Sequence, residues 1–335
     1  MRFSILIPVY NSARYIEECV SSVLRQGFSD YEIILSDDGS TDDSGIICDR
    51  LHDLYPETIR VIHNDHNMGL LLNRRRLFQE AVGEWMICVD ADDSLEQHAL
   101  EALFKVIEEH DPDMIIYNLR CYLVSGETED FKPALESNRL FLGEDKLQVY
   151  RCLYENNYIN SMCTKACRRD IIDVDADYSK YNVSIGEDAF QTYPLLDNAK
   201  RIYYLDEYLY MYRKNENSMT ESLKYDYYDA FKPLWDRELF YRDKWKISSD
   251  VSKYEDILRT KKTIQYLRKG TNKNGYKWLK SRFALIKKEG YFEKSFLGCK
   301  PGKRYELYGK LLLSGKFFSF LLFSSHETFV LKLKS

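Results

Sequence analysis

Three carboxylates, Asp90, Asp92 and Asp93, close an apolar run of strand length (Trp85, Met86, Ile87, Cys88, Val89) and stand just before Ser94 and a new helical period. In open α/β sheets ligands bind outside the carboxyl ends of the strands, and clustered oxygen ligands there suit a hard divalent cation that holds phosphates. Helix capping is the plainer account, but capping needs one carboxylate, not three. A second strand pattern, Tyr31 to Leu35, also runs into acid, Ser36-Asp37-Asp38-Gly39-Ser40-Thr41-Asp42-Asp43. Capping by Ser40 or Asp42 explains part of it; a carboxylate on that edge can also accept the N3–H of a uracil ring lying on the flat face of Tyr10 or Pro8. Gly186-Glu187-Asp188 opens a third acidic site ahead of an amphipathic period (Phe190, Tyr193, Leu196). Its two acids are either first-turn helix charges or a proton acceptor for an attacking hydroxyl. Arg74, Arg75 and Arg76 form either a solvated basic face or a guanidinium fork for phosphate oxygens.

These groups need elements to hold them. Phe3 to Val9 reads as a buried strand, Ser12 as the N-cap of a helix through Ile16, Cys19, Val20, Val23 and Leu24, and Gly27 as its end. The pattern continues with a helix over about 43–54, a short strand Ile59 to His63, a polar loop Asn64 to Gly69, a helix over 70–82 and the acid-tipped strand. A helix over 95–110 and a strand Met114 to Leu119 follow. Strands alternating with helices over about 120 residues predict a mostly parallel sheet with helices on both faces. Further on the pattern predicts a loop or hairpin over 125–140, a helix over 144–155 and a strand from Ile159 to Ala166. Two short strands, Arg201 to Leu205 and Tyr208 to Arg213, come next, and the signal is helical from about Leu223.

Composition bounds the class. With 335 residues, 44% hydrophobic and 30% charged, the chain has the make-up of a globular protein of one large core or two domains. Met1 runs directly into the first strand without the features of a secretory leader, which sets the expectation of a cytoplasmic protein. The eight cysteines are scattered without paired CxxC knuckles and read as reduced core thiols; Cys163 and Cys167 lack nearby histidine partners for zinc. Charge is uneven: Lys244 to Ser335 carries 22 Lys/Arg against 7 Asp/Glu, so an acidic body precedes a basic tail. The apolar stretch from Leu311 to Phe323 is shorter than the roughly 20 residues that span a bilayer. Such an end either packs on the body or makes peripheral contact with an anionic membrane; no nucleic-acid motif accompanies the charge.

ILIPVYN (5–11), SDDGSTDDS (36–44), NMGLLLNRR (67–75), GEWMICVDADD (83–93) and GEDAF (186–190) stand in an order and spacing that resemble family 2 glycosyltransferases, the inverting enzymes with the GT-A fold. The resemblance covers roughly residues 3 to 220. It implies a GT-A catalytic domain; pattern and charge set its end, giving 1–222, and leave 223–335 as a basic helical region for acceptor or membrane association or oligomerisation. It assigns the nucleotide contact to Asp38, with Pro8 and Tyr10 lining the base, and places Arg74 near the donor diphosphate. Asp92 of the Asp90-Ala91-Asp92 motif would ligate Mn²⁺ or Mg²⁺, Asp90 would contact the ribose or the metal through water, and Asp93 would be structural. The base falls at Asp188, with Glu187 orienting acceptor or base. Arg213, followed by Ser218-Met219-Thr220, would lie near the diphosphate. Where the family pattern has Ala-Arg-Asn, this chain has Asn73-Arg74-Arg75. Lys165 resembles a family segment whose flanks, Thr164 and Ala166, do not match, and receives no role.

The function so implied is inverting transfer of a sugar from a nucleotide donor, first a UDP-sugar, to a glycan or lipid-linked acceptor hydroxyl in cell-surface polysaccharide synthesis at the inner face of the membrane. Two other classes stand beside it. A nucleotidyltransferase would show a Gly-rich phosphate loop after the first strand, where this chain has Pro8-Val9-Tyr10-Asn11. A non-catalytic sugar-nucleotide-binding scaffold could keep Asp38 and Asp92 but has little use for Asp188.

Overall fold

The structure is a computed structural model that describes the chain apart from residues 123–125, 157, 180, 182–185, 215–226 and 333–335. It divides into two compact units. The first holds Met1–Leu153, Asn157–Glu221 and Pro233–Tyr241; the second holds Tyr154–Asn156, Ser222–Lys232 and Arg242–Ser335.

The first unit is built on central strands that are buried at every position because both of their faces are covered. β1 (Phe3–Val9) is buried at every position, as is β2 (Tyr31–Asp37). They pair in parallel with each other, β2 pairs with β3 (Ile59–His63), and β1 pairs with β4 (Trp85–Cys88), giving the order β3-β2-β1-β4. The connections are α1 (Ile16–Leu24), α2 (Ser44–Leu54) and α3 (Leu70–Glu80). The sheet then changes sense. β9 (Lys165–Arg168) lies antiparallel between β4 and β6 (Met114–Tyr122), and β10 (Arg201–Arg213) runs parallel to β6. Short strands β5 (Ser94–Leu95), β7 (Thr128–Phe131) and β8 (Arg139–Leu142) finish the edges, with α4 (Ala99–His110), α5 (Lys146–Asn156) and α6 (Glu187–Asn198) packed around them.

Several expected boundaries move, each for a visible reason. Ser12 is not the N-cap of α1: its hydroxyl donates to the Tyr10 carbonyl at 3.2 Å, its own carbonyl accepts from Tyr15 and Ile16, and Tyr15 takes the cap position. The helix stops at Leu24, before Gly27, with Arg25 as its C-cap. α4 begins at Ala99 rather than 95 because Ser94 and Leu95 pair with Met211 and Tyr210 of β10. The strand expected from Ile159 is confined to β9, since the Ser161 hydroxyl accepts from the Cys163 N–H and winds 162–164 into a 3₁₀ turn. The two strands expected at 201–205 and 208–213 are one, β10, whose register shifts between Tyr204 and Tyr210.

The second unit is helical. It comprises the rest of α7 (Tyr227–Lys244), then α8 (Lys253–Glu289), bent at Gly275, α9 (Tyr291–Gly298), α10 (Lys303–Leu313) and α11 (Phe317–Lys332). Ile264, Leu267, Leu279, Phe283, Phe292 and Leu312 form its buried interior. Arg259 is buried there too, donating to Asp256 at 2.9 Å and to Ser295 at 2.6 Å. Among the described residues no helix is long and apolar enough to cross a membrane.

Candidate functional site

The carboxyl ends of β3, β2, β1 and β4 carry, in that order, His63, Asp37 and Asp38, Tyr10, and the acids after Cys88. Two loops meet above β1 and β2 and brace each other. The Asn11 N–H donates to the Ser40 hydroxyl at 3.0 Å, the Thr41 N–H to Asn11 Oδ1 at 2.8 Å, and the Ser12 N–H to the Ser44 hydroxyl at 2.8 Å. Asp38 is buried, its Oδ1 accepting from Asn64 and the Met68 N–H and its Oδ2 from the Gly69 N–H, each at 2.9 Å. The residue assigned to the base therefore also clamps the 64–69 loop. Pro8 is buried within β1, while Tyr10 is 46% exposed and is the aromatic face open at this edge.

Asp37 is buried between the Ser40 N–H at 3.1 Å and His63 Nδ1 at 3.2 Å, and Asp49 on α2 meets His63 Nε2 at 2.9 Å. Those carboxylates raise the imidazole pKa, Asp49 most, against a lowering by burial. Gly45 makes room for this: a Cβ there would sit 2.9 Å from Asp37 Oδ2. Asn73, the departure from the family pattern, is buried and useful, exchanging hydrogen bonds with Ser36 and receiving one from Asn64, which ties α3 to the end of β2. Motif reading missed Asn64 and Asn73 because neither carries charge.

Arg74 is the centre of the site. Of the three neighbouring arginines it is the most deeply buried, 1% exposed, so the solvated basic face is not what forms. One terminal nitrogen donates to Asp90 Oδ1 at 2.7 Å and the other to Asp188 Oδ1, while its buried Nε has no acceptor among the described residues. Acids 98 positions apart in the chain thus meet on a single guanidinium. Asp90 and Asp188 remain about 30% exposed, at 31% and 30%. The neighbouring Glu187 carboxyl is pushed up to about 7, first by burial and then by the Asp188 charge, with Arg74 opposing.

Asp93 turns inward. Its oxygens take the Tyr210 hydroxyl at 2.5 Å and the Arg213 N–H at 2.7 Å, joining the acid loop to β10. Burial, then Asp90 and Asp92, hold its pKa well above the carboxylate range. Arg213 is committed nearby: its Nε donates to the Asp92 carbonyl at 3.1 Å and it pairs with Glu18 at 2.7 Å. Ser218, Met219 and Thr220 lie outside the described residues. Lys165 is buried and its ammonium donates to the Ser161 carbonyl; burial lowers its pKa to about 8.

The acids present fit a hard divalent cation in chemistry and in charge. Burial first, and then the charges of Asp90 and Asp92, raise Asp93, and Asp92 is partly exposed at the rim of this acidic loop. Among the described residues no three acid, histidine or cysteine side chains form a ready metal cage, so such an ion would take the rest of its shell from diphosphate oxygens and water, as Mg²⁺ commonly does. Cavity size does not lead here: an open hollow of about 740 Å³ lies at the other end of β4, around Gly83, Glu84, Arg168 and Arg169.

Comparison with known proteins gives the family and the fold. The model for glycosyl transferase family 2 matches residues 4–174. An uncharacterized glycosyltransferase of Bacillus subtilis (strain 168), EpsJ, is 31% identical over 237 residues, 70% of this chain and 66% of its own length. The glycosyltransferase GlyG of Streptococcus pneumoniae is 37% identical over 119 residues, 36% of this chain and 39% of its own. The alignments thus span less than two thirds of these relatives. The crystal structure of S. aureus TarS 1–349 in complex with UDP-GlcNAc superposes with a TM-score of 0.62 at 19% identity, over 98% of this chain and 92% of that one. That likeness establishes the GT-A fold, with helices following the sheet domain.

Proposed function

The chain belongs to glycosyltransferase family 2, and on that footing we propose that it transfers a sugar, with inversion at the anomeric carbon, from a nucleotide-sugar donor to an acceptor hydroxyl. The donor we propose first is a UDP-sugar, and the acceptor a glycan or lipid-linked saccharide of the cell surface. The observation that carries this reading is the Asp90–Arg74–Asp188 bridge, which joins the acid at a strand end to the acid opening α6. A strand-end acid suits a donor diphosphate, and a partly exposed carboxylate beside it suits a base that must meet an acceptor in line with the leaving group. The complex of TarS with UDP-GlcNAc supports a UDP-sugar on this fold.

In this mechanism the uracil lies on Tyr10, at the edge that Pro8 and Asp38 build. Asp90 and Arg74 face the ribose and diphosphate, and Arg213 steadies the acid loop. Asp188 accepts the hydroxyl proton as the oxygen attacks the anomeric carbon. Glu187, with its pKa near neutrality, orients acceptor or base as a hydrogen-bond donor. Mn²⁺ or Mg²⁺ held by Asp92 would neutralise charge on the departing nucleoside diphosphate. The basic second unit would meet an anionic membrane surface at the cytoplasmic face, where lipid-linked acceptors are presented.

The test is UDP release over a panel of UDP-sugars with Mn²⁺, Mg²⁺ or EDTA, on wild type, Asp92→Ala and Asp188→Asn. Metal-dependent release with one sugar, lost in Asp92→Ala, is expected. Asp188→Asn should bind UDP normally and turn over 10²- to 10⁴-fold more slowly, the usual scale of general-base catalysis (roughly). No UDP binding and no release with any donor would remove the assignment.

A further inference from the structure

α6 opens with Glu187 and Asp188 yet carries Pro194 in its interior. Proline has no N–H, so the Phe190 carbonyl, four residues earlier and in the turn that bears Asp188, loses its helical donor and is crowded by the proline ring. Arg237 of α7 supplies that donor: a terminal nitrogen of its guanidinium bonds to the Phe190 carbonyl at 2.6 Å. The same guanidinium lies 3.5 Å from the centroid of the Phe190 ring and donates to the Tyr178 hydroxyl at 3.3 Å. One turn earlier on α7, Leu234 closes on the start of α6, where Gly186 has φ +79° and an added Cβ would lie 2.6 Å from the leucine. Leu234 and Arg237 share a helical face at i and i+3, so one face of α7 holds both ends of the first turn of α6.

We propose that Arg237 is a positioning residue for transfer: by replacing the hydrogen bond that Pro194 removes, it fixes the turn from which Asp188 reaches Arg74 and the acceptor. This rests on the transfer reading for its kinetic consequence, and on the chain geometry alone for its structural one. A base displaced by a fraction of an ångström loses rate at the chemical step, while the donor contacts proposed for Tyr10, Asp38 and Asp90 stand on the loops after the strands and are not moved.

The experiment compares wild type, Arg237→Met, Arg237→Lys, Pro194→Ala and the double variants. Pro194→Ala restores a backbone N–H to the Phe190 carbonyl and should make Arg237 dispensable. Two readouts are taken: hydrogen exchange of amides 187–191, and UDP release resolved into kcat and donor KM. Arg237→Met should exchange at 187–191 at least tenfold faster and lose at least tenfold in kcat, with donor KM and UDP affinity within twofold of wild type. Pro194→Ala/Arg237→Met should return both to within threefold of Pro194→Ala. Unchanged exchange in Arg237→Met, or a double variant as damaged as the single, would overturn the proposal. If Arg237→Met does not fold, Arg237→Lys against Pro194→Ala/Arg237→Lys gives the same comparison. A wild type that turns over no nucleotide sugar defeats the transfer reading alone, because the exchange result still decides whether Arg237 holds the turn.

Discussion

Replacing Glu187 with glutamine should stabilise the protein, and more so at alkaline than at acid pH. Glu187 has its carboxyl raised from 4.5 to about 7, by burial first and by Asp188 second. The ionised form is what folding penalises. The cost is absent well below the unfolded value, accumulates as pH rises from about 4.5 to about 7, and stays constant above that window. Linkage with these two values gives a penalty of about 1 kcal/mol at about pH 5.5 and about 3 kcal/mol at about pH 8. Glutamine is neutral throughout, so the advantage of Glu187→Gln should grow by about 2 kcal/mol between the two conditions. Urea denaturation of both proteins at each pH, with free energies extrapolated to water, measures this directly. An advantage equal at the two pH values within about 0.5 kcal/mol, or one that shrinks toward alkali, would refute the reasoning, because a burial penalty on the carboxylate cannot behave so.

Three further perturbations separate the parts of the site. Arg74→Met leaves Asp90 and Asp188 facing each other without their shared cation; since both are partly exposed, we expect a stability loss of about 3 kcal/mol, the low end for a broken buried pair. Urea denaturation measures that loss. Tyr10→Ala should raise donor KM roughly 5- to 100-fold, the range for loss of one base-stacking platform, with kcat within twofold in the UDP-release assay. His63 has its imidazole pKa raised by Asp49 and Asp37, so its contribution is present at acid pH and fades as pH climbs through the raised value. At 47% side-chain exposure His63→Gln should cost no more than about 1 kcal/mol at about pH 6 and still less at about pH 9, by thermal or urea unfolding.

Much of the first unit can be read from residue order. Strand β1 occupies the expected residues and the core of helix α1 the expected period, because an apolar run and a clean helical spacing leave no competing pattern, although both ends of α1 lie inside those read from the sequence. The acid-tipped ends of β2 and β4 were visible for the same reason. Where local contacts compete with periodicity, the reading slips. The Ser161 turn shortens β9, a pairing of two residues creates β5, and the register shifts of β10 look from the sequence like a break. Least legible are partnerships between distant segments. Three consecutive arginines look alike on paper, yet Arg74 is taken by two acids, Arg75 stacks 4.6 Å over Tyr178, and Arg76 reaches Asn64 at 2.5 Å. Nothing in the neighbourhood of Pro194 says that its missing donor comes from residue 237.

The shared guanidinium also has a kinetic meaning. Under the proposed transfer, a fork engaged at once by Asp90 and Asp188 would act as an interlock between the two halves of a bisubstrate reaction. On the proposed transfer, diphosphate oxygens arriving beside Asp90 would meet the same guanidinium that holds Asp188, so donor binding and the placing of the base share one group. Such wiring discourages acceptor-first encounters and predicts compulsory-order kinetics, in which UDP competes with the nucleotide sugar while an acceptor analogue inhibits uncompetitively against it.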